Sequence, residues 1–282
     1  MKKVISSIFV LVCVLFFAGC ENSSVQTETS STIDSNIVVQ HDSSAIHMHG
    51  DTIISGMLKL YPLTDSPLFN DAILSLNTPN EGANLKSNIV NFNYDIKNYT
   101  LTKPTTQGCC ATNCANSAKG QHIHLILNNQ PYQAKYSANF SDTLKDGHYV
   151  ALSFLSRSYH ESIKHYDAYD LRQFTVGKVE AKEVDLTKPL LFYSRPKGEY
   201  KGTETQKVLL DFYVVNANIS KTEYTVRATI NGAVFSLTSW KAYLIEGLPL
   251  GNNTIKIELL DKNKQVVNSG FNSVERTVVL SE

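Results

Sequence analysis

The chain predicts an all-β protein built around two like sandwiches, and three observations carry that expectation. Apolar residues alternate with period two over short runs, as in Ile89-Val90-Asn91-Phe92-Asn93-Tyr94-Asp95-Ile96, the spacing that turns one face of a strand toward a core. Turn pairs such as Asn128-Asn129, Asp146-Gly147, Asn231-Gly232 and Gly251-Asn252 separate these runs and suit tight hairpin connections. The third observation is an internal repeat. Ile73 to Gly82 matches Leu190 to Gly198, Val90 to Tyr94 matches Leu209 to Tyr213, Ile123 to Asn129 matches Val226 to Gly232, and Asp142 to Gly147 matches Glu246 to Gly251. Both copies finish on a β-run, Arg172 to Val176 and Arg276 to Leu280. No apolar stripe at helical spacing lasts three turns, and short strands at this spacing read as two tandem immunoglobulin-like sandwiches.

In chain order, Met1-Lys2-Lys3 precedes an apolar run from Val4 to Ala18, a charged n-region and an h-region too short to span a membrane in the mature protein. The run ends in Ala18-Gly19-Cys20. This resembles the bacterial lipoprotein signal, in which small residues precede a cysteine that is cleaved and diacylated. The resemblance implies a leader of residues 1–19, an acylated Cys20, and a chain anchored by lipid to a bacterial membrane, facing the periplasm or on the outer membrane. Residues 20–45 are rich in Ser, Thr, Asn, Asp and Gln and cannot bury enough apolar surface to offset the entropy of ordering, so they read as a flexible tether. The remainder is expected to divide into a His- and Cys-containing sandwich over 46–180 and a second sandwich over 181–282. The segment Ile46 to Asp71 is expected to add a strand or hairpin to the first.

Of 26 basic residues, Lys2 and Lys3 leave with the leader, so 24 face 26 acidic ones. That balance gives no electrostatic footprint for nucleic acid. Cys13 departs too, leaving Cys109, Cys110 and Cys114. In an oxidising envelope this odd number implies one disulfide, Cys109 or Cys110 with Cys114, plus a leftover thiol, or else a thiolate metal site near the histidines.

The histidines are distributed unevenly. Five of eight lie between His122 and His165, the other three are His41, His47 and His49, and residues 166 to 282 have none. His122 and His124 sit two apart on a strand, so their side chains leave one face about 7 Å apart. Two imidazoles at that separation can close onto one ion with bonds of about 2.0–2.1 Å. Ile123, Leu125 and Leu127 then take the core-facing side. His148 opens a later strand that could lie beside the first, and His160 and His165 follow in a polar loop with Glu161, Asp167 and Asp170 as oxygen donors. At the repeat positions of His122, His124 and His148 the second copy has Thr225, Arg227 and Asn252, so the fold itself does not require histidine there. The bland reading is that His122 and His124 are exposed strand residues bonding across the sheet, and that His41, His47, Met48 and His49 belong to a polar tether rather than to a mobile copper-binding segment.

Gln121-His122-Ile123-His124-Leu125, Gly147-His148-Tyr149-Val150-Ala151-Leu152 and His160 resemble the histidine segments of a small periplasmic domain of unknown function, over about 100 residues. More loosely, Pro79-Asn80-Glu81-Gly82 and Leu144-Lys145-Asp146-Gly147-His148-Tyr149 look like periplasmic copper-resistance sandwiches, whose Asp-x-His has no counterpart here. The second likeness implies copper as the ion, while the clustered histidines themselves suit copper or zinc. His160-Glu161-Ser162-Ile163-Lys164-His165 is not the zinc-peptidase H-E-x-x-H, because on a helix a second histidine at i+5 lies about 140° from the first. No nucleophile elbow, phosphate loop or dinucleotide fingerprint occurs. Tyr193, Tyr200, Phe235, Trp240 and Tyr243 could form a ligand-binding face, though alternating aromatics in a sandwich suit its core. Two functional readings follow. One is a non-enzymatic envelope lipoprotein binding copper or zinc through His122, His124, His148 and His160. The other is a structural or interaction lipoprotein with a protein or glycan partner and no metal.

Overall fold

The computed structural model describes residues 51–180 and 182–282 and the backbone of 47–49, all within one compact unit, Ser43–Glu282. Cys20, the expected tether and His41 lie outside the described residues. Among the described residues the only α-helix is the single turn Cys110–Asn113, and no helix is long and apolar enough to cross a membrane.

Four sheets form two sandwiches of one plan. In the first, the strands Ile73–Thr78, Ile89–Lys97 and Asn139–Thr143 face a five-stranded sheet ordered Asn84–Leu85, Tyr169–Val176, Gly147–Ser156, His122–Leu127, Gln133–Lys135. In the second, Leu190–Arg195, Val208–Val215 and Tyr243–Glu246 face a sheet ordered Glu199–Lys201, Ser273–Ser281, Gly251–Leu260, Thr225–Ile230, Ala233–Leu237. Each sandwich opens with a strand that ends at a cis X-Pro bond, Thr78-Pro79 or Arg195-Pro196, and then crosses to the other sheet. There Asn84–Leu85 and Glu199–Lys201 pair in parallel with the last strand of their own sandwich. The repeat legible in the sequence is a repeat of topology.

One expectation is corrected. The segment from Ile46 to Asp71 adds nothing to the first sandwich's sheets. Its strands Thr52–Ser55 and Leu58–Pro62 form a hairpin, and Leu58–Pro62 pairs with Tyr243–Glu246, while His47–His49 extends the same edge. Ile53, Leu58 and Leu60 complete the core of the second sandwich. The physical reason is the alternation Leu58-Lys59-Leu60, which buries its two leucines and leaves Lys59 exposed, matched to the open edge of Tyr243–Glu246.

Each sandwich has its own apolar interior, but a third cluster lies between them. Ile126, Tyr132, Val150, Leu152 and Phe154 pack on Leu190, Phe192, Tyr213 and Val215. The sheets that meet are therefore buried on both faces, which is why Val208–Val215 is buried throughout and Val150 to Ser156 likewise; continuous apolar runs are the mark of strands covered on two sides. The contact is also stapled by Asn129, whose side-chain amide donates to Leu191 O at 2.8 Å and Phe271 O at 3.1 Å while its Oδ1 accepts from Tyr193 N at 2.8 Å. Asn129 holds φ = 53°, a left-handed conformation that asparagine tolerates. The bonds to Leu191 and Tyr193 are buried, so they satisfy polar atoms that water cannot reach.

Candidate metal centre

His122 and His124 leave the outer face of His122–Leu127, opposite Ile123, Leu125 and Leu127, which fill the first sandwich's core as expected. The outer face is not solvent. It is the face covered by the second sandwich, so both histidines have 0% exposure, and the reading of them as exposed strand residues is overturned.

His160 joins them from the loop after Gly147–Ser156. That loop is a tight turn in which His160 N–H donates to Arg157 O and Arg157 N–H to Glu161 O. His160 sits at φ = 70°, where only a few per cent of non-glycine residues are found. The bend brings its ring back over the strand, where it is buried with the other two. The three residues offer nitrogen atoms within 4.8 Å of one another. His122 Nε2 lies 2.9 Å from His124 Nε2 and 3.0 Å from His160 Nδ1.

The proton positions follow from the partners. His122 Nδ1 is 2.8 Å from Gly120 O. A carbonyl only accepts, so Nδ1 carries the proton and Nε2 presents its lone pair to the other two rings. His124 Nδ1 faces Ser194 Oγ at 3.2 Å, and His160 Nδ1 also faces Tyr132 OH at 3.1 Å. One lone pair accepts one N–H well. Two nitrogens crowd the lone pair of His122 Nε2, so one contact lacks a well-placed proton. Protonating a ring does not relieve this. Burial holds His122 down at about 4, and burial, reinforced by the neighbouring rings and by Arg195, holds His124 and His160 well below the ordinary histidine range. The arrangement is that of neutral imidazoles aimed at a common point, with a carbonyl behind one of them as metal-ligating histidines commonly have. An ion at about 2.0–2.1 Å from each nitrogen would set them roughly 3.3–3.5 Å apart, which opens the two contacts of His122 Nε2 by about half an ångström.

His148 does not reach this cluster. Its strand runs antiparallel to His122–Leu127 with Phe154 opposite His124, and six residues separate His148 from Phe154, roughly 20 Å along the strand. His148 instead bonds Thr175 Oγ1 and Gln173 Oε1, each at 3.0 Å. His165 bonds Phe69 O, Glu161 pairs with Arg157, and Asp170 pairs with Arg172. The thiolate alternative is not formed either, because Cys110 and Cys114 are joined in a disulfide that packs with Leu63, Tyr159 and Leu244. Cys109 is the free cysteine; its N–H donates to Asp65, and burial together with Asp65 pushes its thiol up.

The sequence did not point to the groups that the second sandwich and its neighbours bring. Tyr132 stacks on His124 with ring centroids 3.5 Å apart, Ser194 bonds it, and Arg195 and Lys197 lie over the Tyr132 ring. Ser194, Arg195 and Lys197 occur in no motif, and only the docking of two modules places them. The aromatics considered as a binding face, Tyr193, Tyr200, Phe235 and Tyr243, are core residues, with Trp240 packed against them.

No family model and no curated protein matches the chain. Solved structures similar to it include the fibronectin(III)-like modules of Clostridium thermocellum CbhA, at 12% identity over 74% of this chain and 94% of that one, with a TM-score of 0.26. Another is the Bacteroides ovatus mixed-linkage glucan utilization locus protein SGBP-B in complex with a mixed-linkage heptasaccharide, at 10% identity over 74% and 70%, TM-score 0.24. A third is the D00-D0 domain of intimin, at 13% identity over 74% and 100%, TM-score 0.20. At these values the likeness bears on no function.

Proposed function

We propose that this chain is a non-enzymatic, lipid-anchored protein of a bacterial cell envelope whose first sandwich binds a transition metal, copper or zinc, through His122, His124 and His160. The observation that carries the metal reading is the convergence of three buried, neutral imidazoles whose metal-free contacts lack a well-placed proton. Ala18-Gly19-Cys20 supports the anchor. Elemental analysis of the untagged full chain purified in detergent is the test: near-stoichiometric copper or zinc is expected, and its loss in a His122→Ala/His124→Ala variant. No metal in either protein, with melting unchanged on adding copper or zinc, would remove this reading. Cys20→Ser should move the chain from the membrane to the soluble fraction.

A second reading, recognition of a glycan, is favoured by one feature away from the triad. A cleft of about 590 Å3 is lined by Glu81, Tyr166, Asp167, Tyr169, Arg172 and Asn216 among others, and Tyr166 as a residue is 83% exposed. An exposed ring beside carboxylates and an amide suits a sugar, with its apolar face on the ring and its hydroxyls on the acceptors. Tyr166→Ala should abolish retention on an immobilised glucan if this is right. Failure of the wild-type chain to be retained by any polysaccharide tested would end it.

A further inference from the structure

The charge around the three imidazoles bears on which ion they would hold. Neutral imidazoles bring no negative charge, and the side chains next to them bring positive charge. Lys197 Nζ donates to Tyr132 O at 2.7 Å and lies 3.9 Å from the centroid of the Tyr132 ring. His124 is stacked on that ring at 3.5 Å, so the two occupy opposite faces. Arg195 is buried, sits 5.5 Å from the same ring, and donates to Tyr200 OH. Its Nε has no acceptor. Arg276 stands 4.3 Å over Tyr193 and donates to Ser194 O and Asn129 O.

None of these three cations takes part in the salt bridges of the described residues. The carboxylate nearest in sequence, Glu161, is held 3.3 Å from Arg157, and no acidic group belongs to the cluster of ligand atoms. The field is therefore positive and uncompensated. Lys197, pushed down to about 8 by burial and by Arg195 and Arg276, registers the same field.

Like-charge repulsion scales with the charge of the incoming ion and is screened little where water is excluded. A divalent ion would meet twice the repulsion that a univalent one meets. Zinc takes four donors, so on three imidazoles it would also need a water or an anion as its fourth. Imidazole suits zinc and copper alike, so the choice falls to charge and to donor number, and a cuprous ion can be held by three donors without a fourth. We infer that the triad binds copper as the univalent cuprous ion, in preference to divalent zinc or cupric ion. The inference rests on the metal reading above and goes further by fixing the valence.

The test is a pair of chelator competitions on the full chain in detergent. Cuprous ion is measured anaerobically with ascorbate against bicinchoninate, and zinc against a chromophoric chelator. One cuprous ion per chain is expected, held at least about a hundredfold more tightly than zinc, with Lys197→Gln narrowing the gap by raising zinc affinity roughly tenfold. Zinc bound as tightly as cuprous ion, whether unaided or only with added chloride or phosphate as a neutralising ligand, would overturn the valence and leave a metal site standing. If the chain takes up neither ion, the metal reading fails and the valence with it.

Discussion

The two sandwiches share a plan and differ in what covers one sheet. In the first, His124 lies across from Phe154, and the outward residues Val150, Leu152 and Phe154 are packed against the second sandwich. In the second, Arg227 lies across from Glu258, and the corresponding residues are Thr254, Lys256 and Glu258. Arg227 and Lys256 both pair with Glu258, at 2.7 and 2.8 Å. The same strand position thus carries an imidazole where a partner sheet excludes water and an ion pair where it does not. The cluster is a property of the contact between the modules, and the fold by itself neither needs it nor provides it.

The sharpest way to break this comparison is acid. All three histidines are held below the ordinary value, His122 at about 4, so between pH 4 and 6.5 the unfolded chain binds more protons than the folded one. Stability is then fully present above about pH 6.5 and falls as pH drops toward 4, by about 1.4 kcal/mol per pH unit for each histidine and about 4 for three together. Urea denaturation of the metal-free chain at several pH values gives the slope. A flat profile over that range would mean the rings are not buried neutral.

Next in size is the interface. Phe154→Ala should cost about 3–5 kcal/mol, whereas Lys256→Ala at the second sandwich's matching face should stay within about 1 kcal/mol. Equal losses would show that the two faces are not differently covered. Asn129→Ala strands the buried Tyr193 N and Leu191 O and should cost about 3 kcal/mol. Because the modules share a core, a bound ion should raise one common melting transition, by about 2.7 kcal/mol at a hundredfold excess over Kd. Two transitions, only one of them responsive, would contradict that. The smallest effect is expected for His160→Gly. Glycine adopts φ = 70° readily, so folding stability should be held to within about 1 kcal/mol while metal uptake is lost; retained uptake would remove His160 from the ligand set.

Much of the fold was legible because it is local. Alternation, turn pairs and the repeat gave both sandwiches and their strands, and the His122-x-His124 spacing gave a shared face. His160 entered the expected ligand set from its histidine-bearing loop, but its path back to His122 across thirty-eight residues was not legible, since a loop's return cannot be read from period. His148 misled for the converse reason: its strand neighbours the right one, but antiparallel pairing sends it to the far end. The docking of the modules did leave a signal, in the run Val150-Ala151-Leu152-Ser153-Phe154-Leu155 against the alternating Thr254-Ile255-Lys256-Ile257-Glu258, since strands covered on both faces have little use for alternation. Ser194, Arg195 and Lys197 left none, being ordinary polar residues until that contact forms.

The early hairpin has a consequence for how the chain reaches this state. Leu58–Pro62 pairs with Tyr243–Glu246, partners separated by most of the polypeptide. The earlier segment must therefore wait for one made long after it, with Leu58 and Leu60 uncovered and its edge free to pair wrongly. Closing so long a loop makes this a late and slow event. While the chain is incomplete, that waiting strand is where a holding chaperone would have most to protect.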